Sequence, residues 1–169
     1  MPVFIALLRA VNVGGTGKLP MSHLRSLCEK AGFRKVRTYI ASGNVAAERN
    51  GSEADAKAAL EAELRAYAGK PVGVVVRTAA EMSAILANNP FPDRAASRTV
   101  AIFLDAAPPA DALSRVAGQA NEELRQGARE IYVHYPDGIG RSKLRIPAAR
   151  HGTARNMNTL AKLAAMAAE

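Results

Sequence analysis

The chain has 169 residues, 49% apolar and 22% charged, with a formal net charge of +8 and a sequence pI near 10.1. That length suits one domain or two small subdomains sharing a core, and the composition argues against general disorder. Cys28 is the single cysteine, which excludes an intramolecular disulfide and a cysteine zinc cluster.

Taken in chain order, Val3 to Leu8 is an apolar run of strand length, as for a buried central strand. Arg9 ends the apolar opening after too few residues for a signal peptide or a membrane span, and no later stretch reaches spanning length. A cytoplasmic protein with no membrane partner is therefore expected. A glycine-bearing loop, Val11 to Leu19, leads to Pro20 and a helix carrying Leu24, Leu27, Cys28 and Ala31, stopped by Gly32. In that apolar setting Cys28 reads as a buried structural thiol. Val36 to Ile40 and Val45 to Glu48 read as a hairpin around Ser42-Gly43-Asn44.

Ser52 is placed to cap a helix from Glu53 to about Ala68, with Leu60, Leu64 and Tyr67 on its core side. Val72 to Val76 is a β-branched strand. The order is βαββαβ, that of the ferredoxin-like split unit. A second passage repeats it in part: a short helix Ala80 to Ala87, a strand Thr99 to Leu104, and a helix Ala110 to about Ala120. An ambiguous stretch Glu122 to Arg125 follows, then a strand Glu130 to Tyr135 and a last helix from about Arg155 to Ala168. No final strand is evident, so the second half reads as βαββα. The expectation is an α+β fold of two packed ferredoxin-like subdomains, residues 1–78 and 79–169.

Charge is unevenly spread. Residues 1–47 hold seven Lys or Arg against one acid, residues 48–136 ten against twelve, and residues 137–169 six against two. The basic ends hint at an acidic partner. Two glycine-rich basic loops lie in those ends. Asn12-Val13-Gly14-Gly15-Thr16-Gly17-Lys18 could converge backbone N–H groups on an anion. It is not a nucleoside-triphosphatase loop, because Asn12 stands where the first glycine belongs and Leu19 where the hydroxyl belongs. Asp137-Gly138-Ile139-Gly140-Arg141-Ser142-Lys143 offers the same ingredients. A third candidate is the start of the last helix, where Thr153 would cap, Arg155 would sit at the positive dipole end, and Asn156 would be exposed. The candidate anion contacts are therefore Arg9, Asn12, Gly14, Gly15, Gly17, Lys18, Ser42, Asn44, Gly138, Gly140, Lys143, Arg155 and Asn156. His23, His134 and His151 lack ligand spacing, and neither a metal nor a cofactor is expected.

Leu7-Leu8-Arg9-Ala10-Val11-Asn12-Val13-Gly14-Gly15, Lys18-Leu19-Pro20-Met21 and Tyr39-Ile40-Ala41-Ser42-Gly43-Asn44-Val45 resemble the signature of the domain-of-unknown-function 1697 family. Asn89-Pro90-Phe91, Tyr132-Val133-His134-Tyr135-Pro136 with Gly138, and Thr153-Ala154-Arg155-Asn156 continue the resemblance over nearly the whole chain. The resemblance implies two ferredoxin-like subdomains and no established activity. Met157 stands where such proteins usually carry Trp, which removes an indole but keeps apolar bulk.

Three functions fit these residues. The first is a binding module for a phosphate-bearing ligand, either nucleic acid or a phosphorylated small molecule. As strand aromatics for base stacking it offers only Tyr39, Tyr132 and Tyr135. The second is an enzyme acting on a small anionic substrate held between the subdomains by Arg9, Lys18, Arg155 and Lys143, with no general base in view. The third is a protein-interaction or oligomerisation module.

Overall fold

The computed structural model describes residues 1–9, 19–39 and 43–168. Within them the chain is α+β, with two four-stranded antiparallel sheets and four α-helices. It divides into two compact units, Met1–Ser83 with Lys162–Glu169, and Ala84–Ala161. The first candidate loop, including Asn12, Gly14, Gly15, Gly17 and Lys18, and also Ser42, lie outside the described residues.

The first unit runs β1 (Val3–Leu8), α1 (Met21–Lys30), β2 (Arg34–Tyr39), β3 (Asn44–Glu48), α2 (Glu53–Ala68) and β4 (Val74–Thr78), in sheet order β2-β3-β1-β4. Phe4, Ala6 and Leu8 of β1 share a core with Leu24, Leu27 and Cys28 of α1 and Ala56, Leu60 and Leu64 of α2. Ile5 and Leu7, on the opposite pleat, are buried too. A strand buried on both faces needs a continuous apolar run rather than alternation, which is the pattern β1 carries.

Ser52 caps α2 with a reciprocal pair: its hydroxyl accepts from the Asp55 N–H at 3.0 Å, and Asp55 Oδ2 accepts from the Ser52 N–H at 3.0 Å. Those bonds hold the Asp55 carboxyl below its ordinary range. Cys28 is fully buried and its thiol is pushed up to about 12 by desolvation, so it stays protonated and inert. Tyr67 departs from expectation. It sits in the last turn of α2 and is 45% exposed, because its hydroxyl and ring engage His23 of α1, with Oη 3.1 Å from Nδ1 and the rings edge-on. An amphipathic side chain gains a partner for its polar end there without entering the core.

After α3 (Ala79–Ala87) come β5 (Thr99–Phe103), β6 (Glu123–Gln126), β7 (Glu130–His134), β8 (Thr153–Asn156) and α4 (Met157–Ala167), with sheet order β6-β7-β5-β8. Val100, Ile102, Leu124, Ile131, Val133 and Tyr135 form a core against which Leu113, Val116, Leu144 and Ile146 pack. Three expectations change here. The stretch from Ala110 to Ala120 holds only a 3-10 turn at Ala112–Arg115: Val116 is extended, Ala117 bridges to Arg145, and Gly118 takes φ +71. Residues 123–126 are strand, as the polar-apolar alternation allows. And a final strand exists, β8, pairing Ala101 with Arg155 and Phe103 with Thr153. No helix among the described residues is long and apolar enough to cross a membrane.

Candidate functional site

The second glycine loop lines a cleft. About 230 Å³ is enclosed by Gly118, Ala120, Asn121 and Glu122 on one side and Tyr135, Asp137, Gly138, Arg141, Ser142 and Lys143 on the other, all within the second unit. The two walls are stapled together. Ala117 and Arg145 form an antiparallel bridge, with N–H to carbonyl distances of 2.9 and 2.7 Å. The Ser142 hydroxyl donates to Glu122 Oε2 and accepts from the Leu144 N–H at 3.1 Å. Glu122 Oε1 accepts from the Ala120 N–H at 2.7 Å, and the Gln119 amide donates to the Glu122 carbonyl at 2.8 Å. Asn121 Nδ2 donates to Asp137 Oδ2 at 2.9 Å.

These bonds decide what each ionisable group can offer. Glu122 is buried with both carboxylate oxygens engaged, and the Ser142 hydroxyl, then the Ala120 N–H, hold it below the usual carboxylate range. It is an anchor for the loop, fixed in the ionised form. Tyr135 is buried at the same cleft, and desolvation together with the Glu122 charge raises its phenol. Arg141 and Lys143 are exposed, and neither makes a salt bridge among the described residues. From Arg141 to Ile146, exposed and half-buried residues alternate, with Leu144 and Ile146 packed inward. Arg141 ends a 3-10 turn at Ile139–Arg141 and Lys143 lies in the extended stretch after it, so both cations face solvent on a lip whose other side is pinned to the core.

The glycines of this loop differ in purpose. Gly138 has φ +86 and ψ 152, a region open to glycine alone, and its N–H donates to the Tyr135 carbonyl at 3.0 Å. Gly140 has nothing within 4 Å of where a Cβ would stand. The Gly138 and Ser142 N–H groups are spent on turn bonds, to the Tyr135 and Ile139 carbonyls.

The third candidate takes a different form from that expected. Thr153 and Arg155 are not the cap and first turn of a helix. They lie in β8, whose burial alternates with period two, and the helix begins at Met157. Asn156, half-buried rather than exposed, supplies the cap: its Oδ1 accepts from the Thr159 N–H at 2.9 Å. Arg155 is buried, donates to Thr153 Oγ1 at 2.7 Å and the Ala154 carbonyl at 2.9 Å, and is lowered to about 10 by desolvation. It remains charged at neutral pH, and its guanidinium serves the strand rather than a helix end.

In the first unit, Asn44 is buried and donates to the Tyr39 carbonyl at 2.9 Å, stitching the hairpin. Arg9 lies along Gly73: its N–H donates to the Gly73 carbonyl at 2.9 Å, and a Cβ on Gly73 would meet Arg9 Cδ at 2.9 Å. Arg9 Nε is buried without a hydrogen-bond partner among the described residues. Of the candidates, then, Gly138 and Lys143 share one cleft, and Gly140 sits in the same loop. Gly118, Asn121 and Glu122 were not foreseen as site residues; a polar Gly-Gln-Ala-Asn run leading into an acid beside a strand is the signal that marks them. No group of three His, Cys, Asp or Glu among the described residues is arranged to hold a metal ion.

Comparison with known proteins adds a fold and a family. No curated protein matches the chain. The solved structure of the conserved bacterial protein SP0830 from Streptococcus pneumoniae is similar over 100% of this chain and 99% of its own, at 25% identity and a TM-score of 0.81. The matching family model spans residues 1–132, which takes in the hairpin and Asn89-Pro90-Phe91 and stops short of the cleft loop at 137–143. The chain belongs to the family described as protein of unknown function (DUF1697).

Proposed function

We propose that the chain is a binding module for a phosphate-bearing ligand, held at the cleft between Gly118–Glu122 and Tyr135–Lys143. The observation that carries this reading is the division of labour among the charges there. Glu122 is consumed in fixing the loop, while Arg141 and Lys143 stand exposed on its lip with no acidic partner among the described residues. The pinned backbone spares the ordering of the loop itself when the two cations meet a phosphate, leaving their side-chain rotamers as the entropy to be lost.

A small ligand accounts for the cleft better than RNA does. Tyr132 and Tyr135 are buried, and the Tyr132 hydroxyl donates to the Ile85 carbonyl at 2.8 Å, so neither presents a face for base stacking. The catalytic alternative needs a general base, and Glu122, engaged at both oxygens and held below its usual range, is a poor one. We also infer a ferredoxin-like arrangement for each unit. The antiparallel orders β2-β3-β1-β4 and β6-β7-β5-β8 support it, though a 3-10 turn replaces the first helix in the second unit.

Calorimetric titration with inorganic phosphate and pyrophosphate tests the binding claim. The wild type is expected to bind pyrophosphate more tightly than phosphate, with affinity falling as salt rises. An Arg141→Gln/Lys143→Gln variant is expected to lose at least about tenfold. Equal affinity in wild type and variant would overturn the assignment.

A further inference from the structure

The cleft holds two cations and two carboxylates, and a bare phosphate would leave one of those carboxylates unaccounted for. Glu122 is satisfied at both oxygens. Asp137 is not: it is exposed on the same lining, Oδ2 accepts from the Asn121 amide, and Oδ1 accepts no hydrogen bond from the described residues. Asp137 also makes no salt bridge among the described residues, although Arg141 and Lys143 belong to the same short loop. An ionised carboxylate offers acceptors only. Beside a phosphate it repels; beside a hydroxyl it becomes a charge-assisted partner. Asn121, which fixes Asp137, lines the cleft too, and its side-chain amide carries a carbonyl oxygen, so acceptors and cations belong to one lining.

Cations for a phosphate next to acceptors for hydroxyls are the complement of a phosphorylated polyol. At about 230 Å³ the space is below the range typical of drug-sized ligands and suits a group of sugar-phosphate size. Resting on the phosphate reading above, we propose that the cleft takes a sugar phosphate or another phosphorylated polyol. Arg141 and Lys143 hold the phosphate, and Asp137 with Asn121 selects for the adjacent hydroxyls. The phosphate-bearing sugar could be free or stand at the 5′ end of an RNA strand; the cleft recognises what the two have in common.

The test compares inorganic phosphate, ribose 5-phosphate and a 5′-phosphorylated RNA dinucleotide on the wild type and on Asp137→Asn, with thermal melting to establish that the variant is folded. Asn can still accept from Asn121 but no longer carries charge. The wild type is expected to favour ribose 5-phosphate over inorganic phosphate by about tenfold or more. Asp137→Asn should erase that preference while leaving inorganic phosphate as well bound as before, or better. A dinucleotide that outcompetes the free sugar phosphate and keeps the Asp137 dependence would place the same group at a strand end, in support. Equal binding of phosphate and ribose 5-phosphate by the wild type would overturn the polyol assignment and leave the phosphate reading standing. So would a preference that survives in Asp137→Asn. Binding of none of the three would overturn both. If Asp137→Asn melts early, Asn121→Ala, which removes only the neighbouring amide, is expected to reduce the preference; an undiminished preference there counts against the proposal.

Discussion

The carbonyl oxygen of Lys143 stands 2.2 Å from where a Cβ on Gly118 would lie. Gly118 also has φ +71, so two independent constraints exclude a side chain at the point where the walls of the cleft meet. Gly140, in the facing loop, has neither a positive φ nor a neighbour within 4 Å of its Cβ position.

Gly118→Ala is therefore expected to destabilise the protein by more than about 2 kcal/mol, combining left-handed strain with a backbone clash. The melting temperature should fall by roughly 4–8 °C for a chain of this size. Gly140→Ala should stay within about 0.5 kcal/mol of wild type. A stable Gly118→Ala protein would show that the walls are not in contact as described.

The bond between Ser142 and Glu122 sets a pH dependence. The Glu122 pKa is lower folded than unfolded, so the unfolded chain binds its proton first as pH falls. The stabilisation is fully present above the ordinary glutamate value of about 4.3 and is lost as pH falls through the lowered folded value. Ser142→Ala removes the largest cause of that shift. It should cost about 1.5–3 kcal/mol at pH 7, and the difference from wild type should shrink under acid conditions. Urea denaturation at pH 7 and pH 3 checks both; a difference independent of pH would show that the hydroxyl does not act through the carboxylate.

At the alkaline end Tyr132 is the group to follow. Burial pushes its phenol up to about 12, with the Glu130 charge adding to the effect. An unfolded tyrosine ionises near 10, so the contribution is present below about pH 10 and lost between about 10 and 12. In an ultraviolet phenolate titration of the four tyrosines, Tyr132 and Tyr135 should ionise late. Tyr132→Phe should remove one late step, at a modest stability cost from the lost bond to the Ile85 carbonyl. A Tyr132→Phe titration that keeps every late step would contradict the assignment.

The first unit was legible because its signals are local. A continuous apolar run marked β1, Ser52 with Asp55 marked the start of α2, and β-branched residues marked β4. The second unit was less so because its deciding interactions lie far apart in sequence. Arg155 is a good helix former by composition, yet pairing with Ala101 holds it in β8. Asn156 reads in the sequence as an exposed polar residue, whereas its side chain starts α4. The cleft loop was visible as glycines with cations. Its opposite wall is marked only by the polar run Gly118 to Asn121 before an acid, which does not say what it faces; only the fold brings Glu122 to Ser142, twenty residues away.

The claim that matters most is that Arg141 and Lys143 hold a phosphate at this cleft. Titrating pyrophosphate into isotope-labelled protein and following backbone amide resonances tests it directly. Shifts are expected to concentrate at Gly118, Asn121 and the Gly138–Lys143 loop, to saturate, and to vanish in Arg141→Gln/Lys143→Gln. Saturating shifts that lie elsewhere, or that persist in the double variant, would contradict it.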